Sequence, residues 1–174
     1  MDTLTDGVIT LVRWRREDLD VLVRTADGSR DHLGDWLVWA TGGYDRAKGE
    51  EFLTGAEQRW ENGQSQDYAI CTPESVVAGG CGLINRDPGR EIGYWLAKEH
   101  TGRGYVTRAA ALLVAESWRQ GATFVEIRHD ERNERSAAVP RRLGFTPHRQ
   151  EPAGEPVAPA CAGINHVWRL TRPG

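Results

Sequence analysis

The sequence predicts one α+β domain, built on a mixed, mostly antiparallel central sheet of about seven strands with helices on both faces. Strand and helix patterns alternate as strand, helices, a three-strand meander, helix, strand, helix, strand and strand. At the centre, residues 91–108 (EIGYWLAKEHTGRGYVTR) combine a strand pattern, a glycine turn and the start of a helix. With 174 residues the chain can bury a core of its own, so we assign residues 1–174 to a single domain.

Turn and breaker residues set the remaining boundaries. Asn62-Gly63 closes a helix that begins near Asp45. Three glycines inside one hairpin strand predict a bulge or the close approach of another backbone: Gly79, Gly80 and Gly82. The predicted segments are a strand at 7–14, helices at 16–28, 30–40 (short or irregular) and 45–61, hairpin strands at 67–72 and 76–84, the central strand and helix, a strand at 122–128, a helix at 133–142, a strand from 143, a loop at 151–163 and a strand at 164–170.

Composition excludes several classes of protein. Lysine and arginine total 22 against 25 acidic residues, and a net charge of -3 gives no basic excess for a nucleic-acid partner. The N-terminus MDTLTDG is acidic, and no apolar run approaches 18 residues, so neither a signal peptide nor a membrane span is expected. Three widely spaced cysteines, Cys71, Cys81 and Cys161, predict no metal site and no disulfide framework, and favour a reducing cytoplasm.

The glycine turn at residues 101–104 predicts an anion site. Gly102 and Gly104 separate the central strand from a helix whose first backbone N–H groups lack intrahelical partners. Those groups and the helix dipole attract negative charge, and Arg103 adds a mobile positive charge. We hypothesise that this turn holds a pyrophosphate. The helix that follows has one apolar face, formed by Val106, Ala109, Ala110, Leu113, Val114 and Ser117.

Two segments carry a resemblance to a known family: EIGYWL at 91–96 with the turn TGRGYV behind it, and N-x-x-S-x-x-V-x-x-x-L-G-F at 133–145. Together with HLGDWLVW at 32–39, they resemble the GNAT superfamily of acyl-coenzyme A-dependent N-acyltransferases, in the Rim-type branch of ribosomal-protein N-terminal acetyltransferases. The family signature is Gln or Arg, two residues, Gly, one residue, then Gly or Ala. Gly104 meets it, whereas Thr101 and Val106 depart from it.

The resemblance implies the GNAT fold, with a sheet that splays open at its cofactor site, and acetyl-CoA as the acyl donor. It implies that backbone N–H groups of residues 103–107 hold the pyrophosphate and that the pantetheine arm pairs with residues 92–96, as a peptide-like chain can at a strand edge. Asn133 is either a ligand of this arm or a helix N-cap. The implied cofactor-binding residues are Ile92, Tyr94, Trp95, Leu96, Arg103, Gly104, Tyr105, Val106, Thr107 and Asn133.

Attack of an amine on a thioester needs a proton acceptor, an oxyanion donor and an acid for the thiolate. Glu91 stands where several family members carry the base; the alternatives are a solvated charge at the strand end and an ion pair with Arg90 or Arg128. The family implies an oxyanion donor among the backbone N–H groups near Trp95 or Leu96. Many members protonate the thiolate with a tyrosine, but this position is Pro140, so Ser136 is the nearest hydroxyl. Proline also predicts a kink and a freed carbonyl near Ser136.

We expect the early helices and the late loop to form the acceptor pocket, with His32, Trp36, Trp39 and Tyr44 on one side and Glu151, Glu155 and His166 on the other; core or surface roles for these residues are the alternative. His129 and Asp130 point to opposite faces of a strand, so they do not form a catalytic pair. The predicted function is acetyl transfer to a primary amine, first of all a protein N-terminal α-amine. A small-molecule amine and a non-catalytic acyl-CoA sensor are alternatives, and the chain is either a monomer or a homodimer.

Overall fold

A computed structural model describes residues 1–174 and shows one eight-stranded sheet. The strands are β1 (Thr3–Thr5), β2 (Thr10–Arg13), β3 (Ser65–Cys71), β4 (Val77–Arg86), β5 (Gly89–Leu96), β6 (Phe124–Asp130), β7 (Thr146–Pro152) and β8 (Ile164–Thr171). Their spatial order is β1-β2-β3-β4-β5-β6-β8-β7. All neighbours are antiparallel except β5 and β6, which run parallel.

Helices cover both faces of the sheet. They are α1 (Leu19–Gly28), α2 (Arg30–Gly34), α3 (Arg46–Glu61), α4 (Tyr105–Arg119) and α5 (Glu134–Arg142), with short 3-10 turns at Arg16–Asp18, Val38–Ala40 and Lys98–His100. α4 is the crossover that a parallel β5–β6 pair requires. No helix is both long enough and apolar enough to cross a membrane.

Alternating strand residues divide the interior into two cores. Tyr68 and Ile70 of β3 face the α4 side, where Leu113 is fully buried in a cluster of 17 residues. Ala69, between them, faces the α1–α3 side and a second cluster that contains Leu22 and Leu53. The sheet is therefore the middle layer of three.

Polar caps and glycines end the helices where the sequence predicts. Asp45 caps α3 by accepting a hydrogen bond from the Lys48 N–H at 2.9 Å. Gly63, after α3, and Gly121, after α4, have φ angles of 73° and 84°. Glycine adopts this left-handed conformation without the strain that a Cβ causes.

The structure differs from the sequence prediction at three places. The predicted first strand at 7–14 is the turn and second strand of a β1–β2 hairpin, so the sheet has eight strands; Asp6 organises the turn by accepting from two backbone N–H groups. β7 extends to Pro152, which shortens the predicted loop to residues 153–163. The buried face of α4 also includes Tyr105 and Glu116, and Glu116 is tolerated there because Arg119 binds its carboxylate.

Leu113→Ala tests the α4 core. Leu113 is fully buried, so its truncation leaves a cavity, and we expect the free energy of unfolding to fall by about 2–5 kcal/mol. Val76→Ala is the control, because this side chain is 51% exposed and its loss is expected to cost within about 0.5 kcal/mol. Urea denaturation of both variants measures the difference; equal losses would contradict this packing.

Candidate active site

The parallel pair β5–β6 separates after three residues. Residues 90–92 pair with 125–127, but 93–96 of β5 have no partner on β6, and 128–130 of β6 pair only with β8. The opening lies within a cleft of about 1890 Å³. A pocket for one small molecule is typically about 300–1,000 Å³, so this cleft has room for two substrates side by side.

The glycine turn at the mouth of the cleft presents a row of free donors. None of the backbone N–H groups of residues 102–107 donates a hydrogen bond within the protein. Gly102 and Gly104 have φ angles of 78° and 76°, and a Cβ at either would meet no atom within 4 Å. Arg103 is exposed and makes no ion pair, while the Tyr105 side chain packs in the core and leaves only its backbone to the turn. These residues fit a pyrophosphate, as the sequence predicts.

Strand β5 offers its backbone edge and two side chains to the cleft. Ile92 and Leu96 are buried in the core. Leu96 contributes the unpaired edge, whereas Ile92 still pairs with β6, which corrects its predicted place on the free edge. Tyr94 points to α5 on one face. Trp95 lies on the other face over Gly80, where a Cβ would come within 2.6 Å of the indole nitrogen. The glycines of β4 therefore permit the close approach that the sequence predicts.

Ser136 and Tyr94 form a hydrogen-bonded pair beside the opening. Helix α5 continues through Pro140, which has no N–H to donate to the Ser136 carbonyl, so this carbonyl lacks its helical hydrogen bond, as predicted. The Tyr94 hydroxyl lies 3.1 Å from this carbonyl and 3.0 Å from Ser136 Oγ. Burial raises the pKa of Tyr94 to about 12, so the phenol keeps its proton at neutral pH. When the Tyr94 hydroxyl donates its proton to the carbonyl, the hydrogen bond between the two hydroxyls is donated by Ser136 and accepted by Tyr94.

Asn133 caps helix α5. Its side-chain oxygen accepts a hydrogen bond from the Ser136 N–H at 3.1 Å, so the structure places it as the predicted N-cap. Asn133 also lines the cleft. The cap uses its oxygen, so the amide NH₂ can still contact a ligand, and the cofactor contact stays a prediction.

Two arginines bind the Glu91 carboxylate. Arg86 Nε donates to Oε2 at 2.9 Å and Arg128 Nη2 donates to the same atom at 3.1 Å. Arg128 Nε also lies 2.9 Å from Oε1, too bent for a hydrogen bond. Glu91 is 7% exposed and is not among the residues that line the cleft. The contacts favour the predicted ion-pair alternative, with Arg128 as expected and Arg86 in place of Arg90.

The neighbouring strand repeats this arrangement at Glu126. Burial acts to raise the pKa of this carboxyl, but hydrogen bonds from Arg149 and Arg169 outweigh it and hold the pKa below its usual value. Glu151, predicted opposite the acceptor pocket, instead joins this layer by pairing with Arg128 and Arg149. Arginine–carboxylate pairs therefore cover this face of β5, β6 and β7.

The four residues predicted to contact the acceptor all line the cleft. Trp39 packs edge-on against Tyr44 and Trp95, with ring centroids 5.4 Å and 5.6 Å apart. Burial raises the pKa of Tyr44 to about 12. Burial lowers the pKa of His32, and the positive charge of Arg135 acts in the same direction, so His32 is neutral at pH 7. Trp36 lies where the chain before α3 meets the late loop.

The loop at residues 153–163 closes one side of the cleft. At one end, the N–H groups of Ala162 and Gly163 donate to the Asp130 carboxylate, both at 3.0 Å. Nearby, the Ala160 N–H donates to the Asp35 carbonyl at 2.9 Å. The loop thus joins the tip of β6 to the segment after α2. Glu155 lies on this loop but is not among the cleft-lining residues.

The side chains of His129 and Asp130 make separate contacts. His129 Nδ1 lies 2.7 Å from the Asp130 carbonyl, and Nε2 accepts from the Trp168 indole at 2.9 Å. Both ring nitrogens are satisfied by a neutral imidazole. His166, another predicted acceptor residue, lies beside this ring rather than among the cleft-lining residues.

Asp67 is a cleft carboxylate that the sequence prediction missed; Glu51 and Glu134 also line the cleft. Asp67 of β3 lines the cleft, and its Oδ2 accepts from Arg59 at 3.2 Å and from Ser65 at 2.8 Å. The three glycines of β4 were the available signal, because Gly82 lies beside Asp67 on the neighbouring strand.

Comparison with known proteins identifies the family. A sequence model of the Acetyltransferase (GNAT) domain matches residues 9–146. YdaF of Bacillus subtilis strain 168, provisionally described as a ribosomal N-acetyltransferase, is 29% identical over 145 residues, which cover 79% of this chain and 77% of YdaF. The structure of RimL, a ribosomal L7/L12 α-N-protein acetyltransferase solved with coenzyme A, superposes with a TM-score of 0.87 at 18% identity and 97% coverage of both chains.

A second structural neighbour is the microcin C7 self-immunity acetyltransferase MccE, solved with acetyl-CoA and AMP. Its TM-score is 0.85 at 19% identity, with 97% of this chain and 98% of that chain covered. The chain therefore belongs to the GNAT acetyltransferase family. The predicted fold, the acetyl-CoA-dependent N-acetyltransferase class and the Rim-type resemblance are confirmed.

Tyr94→Phe tests the hydrogen bond from the Tyr94 hydroxyl to the Ser136 carbonyl. The variant leaves the Ser136 carbonyl without its donor, and we expect a loss of about 1–3 kcal/mol in the free energy of unfolding. In a Pro140→Ala background the loss is smaller, because residue 140 then has an N–H that can donate to this carbonyl. Denaturant unfolding of the double-mutant cycle measures the coupling. An identical Tyr94→Phe cost in both backgrounds would refute the assignment.

Gly104→Asp and Gly104→Asn test the anion turn. Asparagine and aspartate both tolerate the left-handed conformation, so the two variants differ mainly by one negative charge. We expect Gly104→Asp to bind acetyl-CoA on the order of a hundredfold more weakly than Gly104→Asn, because like charges next to each other cost several kcal/mol. Isothermal titration calorimetry measures both affinities. Equal affinities of the two variants for acetyl-CoA would show that the pyrophosphate does not bind at this turn.

Proposed function

We propose that this protein transfers the acetyl group of acetyl-CoA directly to the N-terminal α-amine of a protein, in a complex that holds both substrates. The observation that carries the proposal is the closure of the acceptor side by the hydrogen bond from Ala160 to Asp35. A chain cannot lie across a side that is closed, but a free chain end can enter it. The descriptions of YdaF and RimL as ribosomal-protein acetyltransferases support the same class of acceptor.

The residues have separate roles in this proposal. Acetyl-CoA supplies an acyl group activated as a thioester. The free N–H groups of residues 102–107 bind its pyrophosphate, and the unpaired edge of β5 at 93–96 binds the arm and supplies an oxyanion donor. Ser136 turns its hydroxyl proton from Tyr94, 3.0 Å away, to the coenzyme sulfur. The aromatic group of Trp39, Tyr44 and Trp95 forms the acceptor wall.

A small-molecule amine is the second candidate. The closed side favours it as well, because cavities that enclose small ligands bury most of the ligand surface. The likeness to MccE, a self-immunity acetyltransferase, supports this alternative.

The first candidate also implies a location, because an acceptor of the ribosomal type would place the reaction in the cytoplasm.

A substrate screen separates the two candidates. Purified protein is incubated with acetyl-CoA and one amine at a time: short peptides with varied N-terminal residues, amine antibiotics or polyamines. Release of the coenzyme thiol measures the rate, and mass spectrometry locates the acetyl group. We expect the highest kcat/KM with peptides, and no reaction with the same peptides blocked at the N-terminus. A higher kcat/KM for any small amine than for every peptide would replace the first candidate by the second.

A further inference from the structure

Three adjacent strands form a shallow trough in the cleft face of the sheet. Asp67 of β3 is the register partner of Gly82 on β4, and Gly82 is the partner of Gly93 on β5. These three residues form one row across the sheet. Because two of them are glycines, no side chain lies between the Asp67 carboxylate and strand β5. Gly93 is exposed although it lies in the middle of an eight-stranded sheet, and a Cβ there would meet no atom within 4 Å.

The neighbouring rows form the walls of this trough. On one side the Trp95 indole covers Gly80. On the other side Ile84 is the partner of Glu91. The trough ends at β5 just beyond Ile92, the last residue that pairs with β6. It thus connects Asp67 with the point at which the sheet opens.

The Asp67 carboxylate is oriented along the trough. Arg59 and Ser65 both bind Oδ2, whereas Oδ1 makes no hydrogen bond within the protein. Oδ1 lies 2.9 Å from the position that a Cβ of Gly82 would occupy, so the carboxylate leans over β4. Strands are about 4.8 Å apart, which leaves roughly one strand spacing between Oδ1 and the backbone of Gly93. A gap of this size suits an ammonium group.

The carboxylate of Glu91, at the wall of the trough, is not available. Arginine side chains lie against both oxygens of Glu91, and Glu91 does not line the cleft. Asp67 combines a free oxygen, a fixed orientation and an open path to β5.

We propose that Asp67 binds the ammonium group of the acceptor and takes its first proton. The inference rests on the proposed acetyl transfer to a primary amine. Forming one C–N bond and breaking one C–S bond removes two protons from an ammonium nitrogen. Asp67 accepts the first and passes it to water, which leaves a neutral amine. The second passes to water as the C–N bond forms. Ser136, which gives its own proton to the sulfur, regains one from water, so one proton is released in total.

Binding of a peptide to the coenzyme A complex tests this assignment without turnover. The probes are tetra-alanine amide with a free N-terminus and the same peptide with a formylated N-terminus, titrated by calorimetry. The parent is expected to prefer the free amine. In Asp67→Asn the preference falls by about tenfold to a hundredfold, as for the loss of one charge-assisted hydrogen bond, while the affinity for coenzyme A is unchanged. Asparagine can keep the contacts of Oδ2 with Arg59 and Ser65, so the fold is retained.

Matched variants complete the experiment. Asp20→Asn, on the exposed surface of α1, keeps the parental preference. Gly82→Ala places a methyl group against Oδ1 and reduces the preference, whereas Gly28→Ala, where a Cβ meets no atom, does not. The same preference in Asp67→Asn as in the parent overturns the inference, and so does a parent that acetylates peptides without preferring the free amine in binding.

Turnover separates this inference from the proposed acceptor class. If n-propylamine is acetylated and peptides are not, the N-terminal acceptor is wrong. Asp67 is then tested on n-propylamine, for which Asp67→Asn must raise KM by about tenfold or more. An unchanged KM in that case also overturns the role of Asp67.

Discussion

The structure depends on the point at which two parallel strands stop sharing hydrogen bonds. β5 and β6 pair over only three residues, and beyond Ile92 the edge of β5 is free. Unpaired backbone groups are normally a liability in a sheet, because they invite another chain to pair. Here the free edge lies inside a cleft, between the glycine turn and α5, so it can pair with an extended ligand.

Sequence reasoning located the features that depend on neighbouring residues. The anion turn follows from the spacing of Gly102 and Gly104 before an apolar helix face, and the freed carbonyl of Ser136 follows from Pro140 four residues later. The splay itself came from family resemblance, since no local pattern in β5 tells where its pairing with β6 ends. Strand β1 was missed because three residues are too short for an alternation pattern.

Features that depend on strand register stayed hidden. Arg86 reaches Glu91 because a tight turn brings the end of β4 back onto β5, which the sequence spacing of five does not reveal. Tyr94 meets Ser136 across 42 residues, so Pro140 indicates a free carbonyl but not its partner. Asp67, Gly82 and Gly93 come from three different strands and meet only because the pairing places them in one row.

The hydrogen bonds that anchor the loop at residues 153–163 to Asp130 have a consequence for the evolution of the protein. The loop is anchored by backbone hydrogen bonds at Ala160, Ala162 and Gly163. Most side chains would preserve the first two, whereas the φ of 82° at Gly163 favours glycine. Val157 and Ala158, which lie before these anchors, line the cleft. Substitutions at these two positions can therefore reshape the acceptor side while the backbone anchors persist. Sequence changes in this loop can therefore give relatives of this chain new acceptors while the glycine turn and strand β5 stay unchanged.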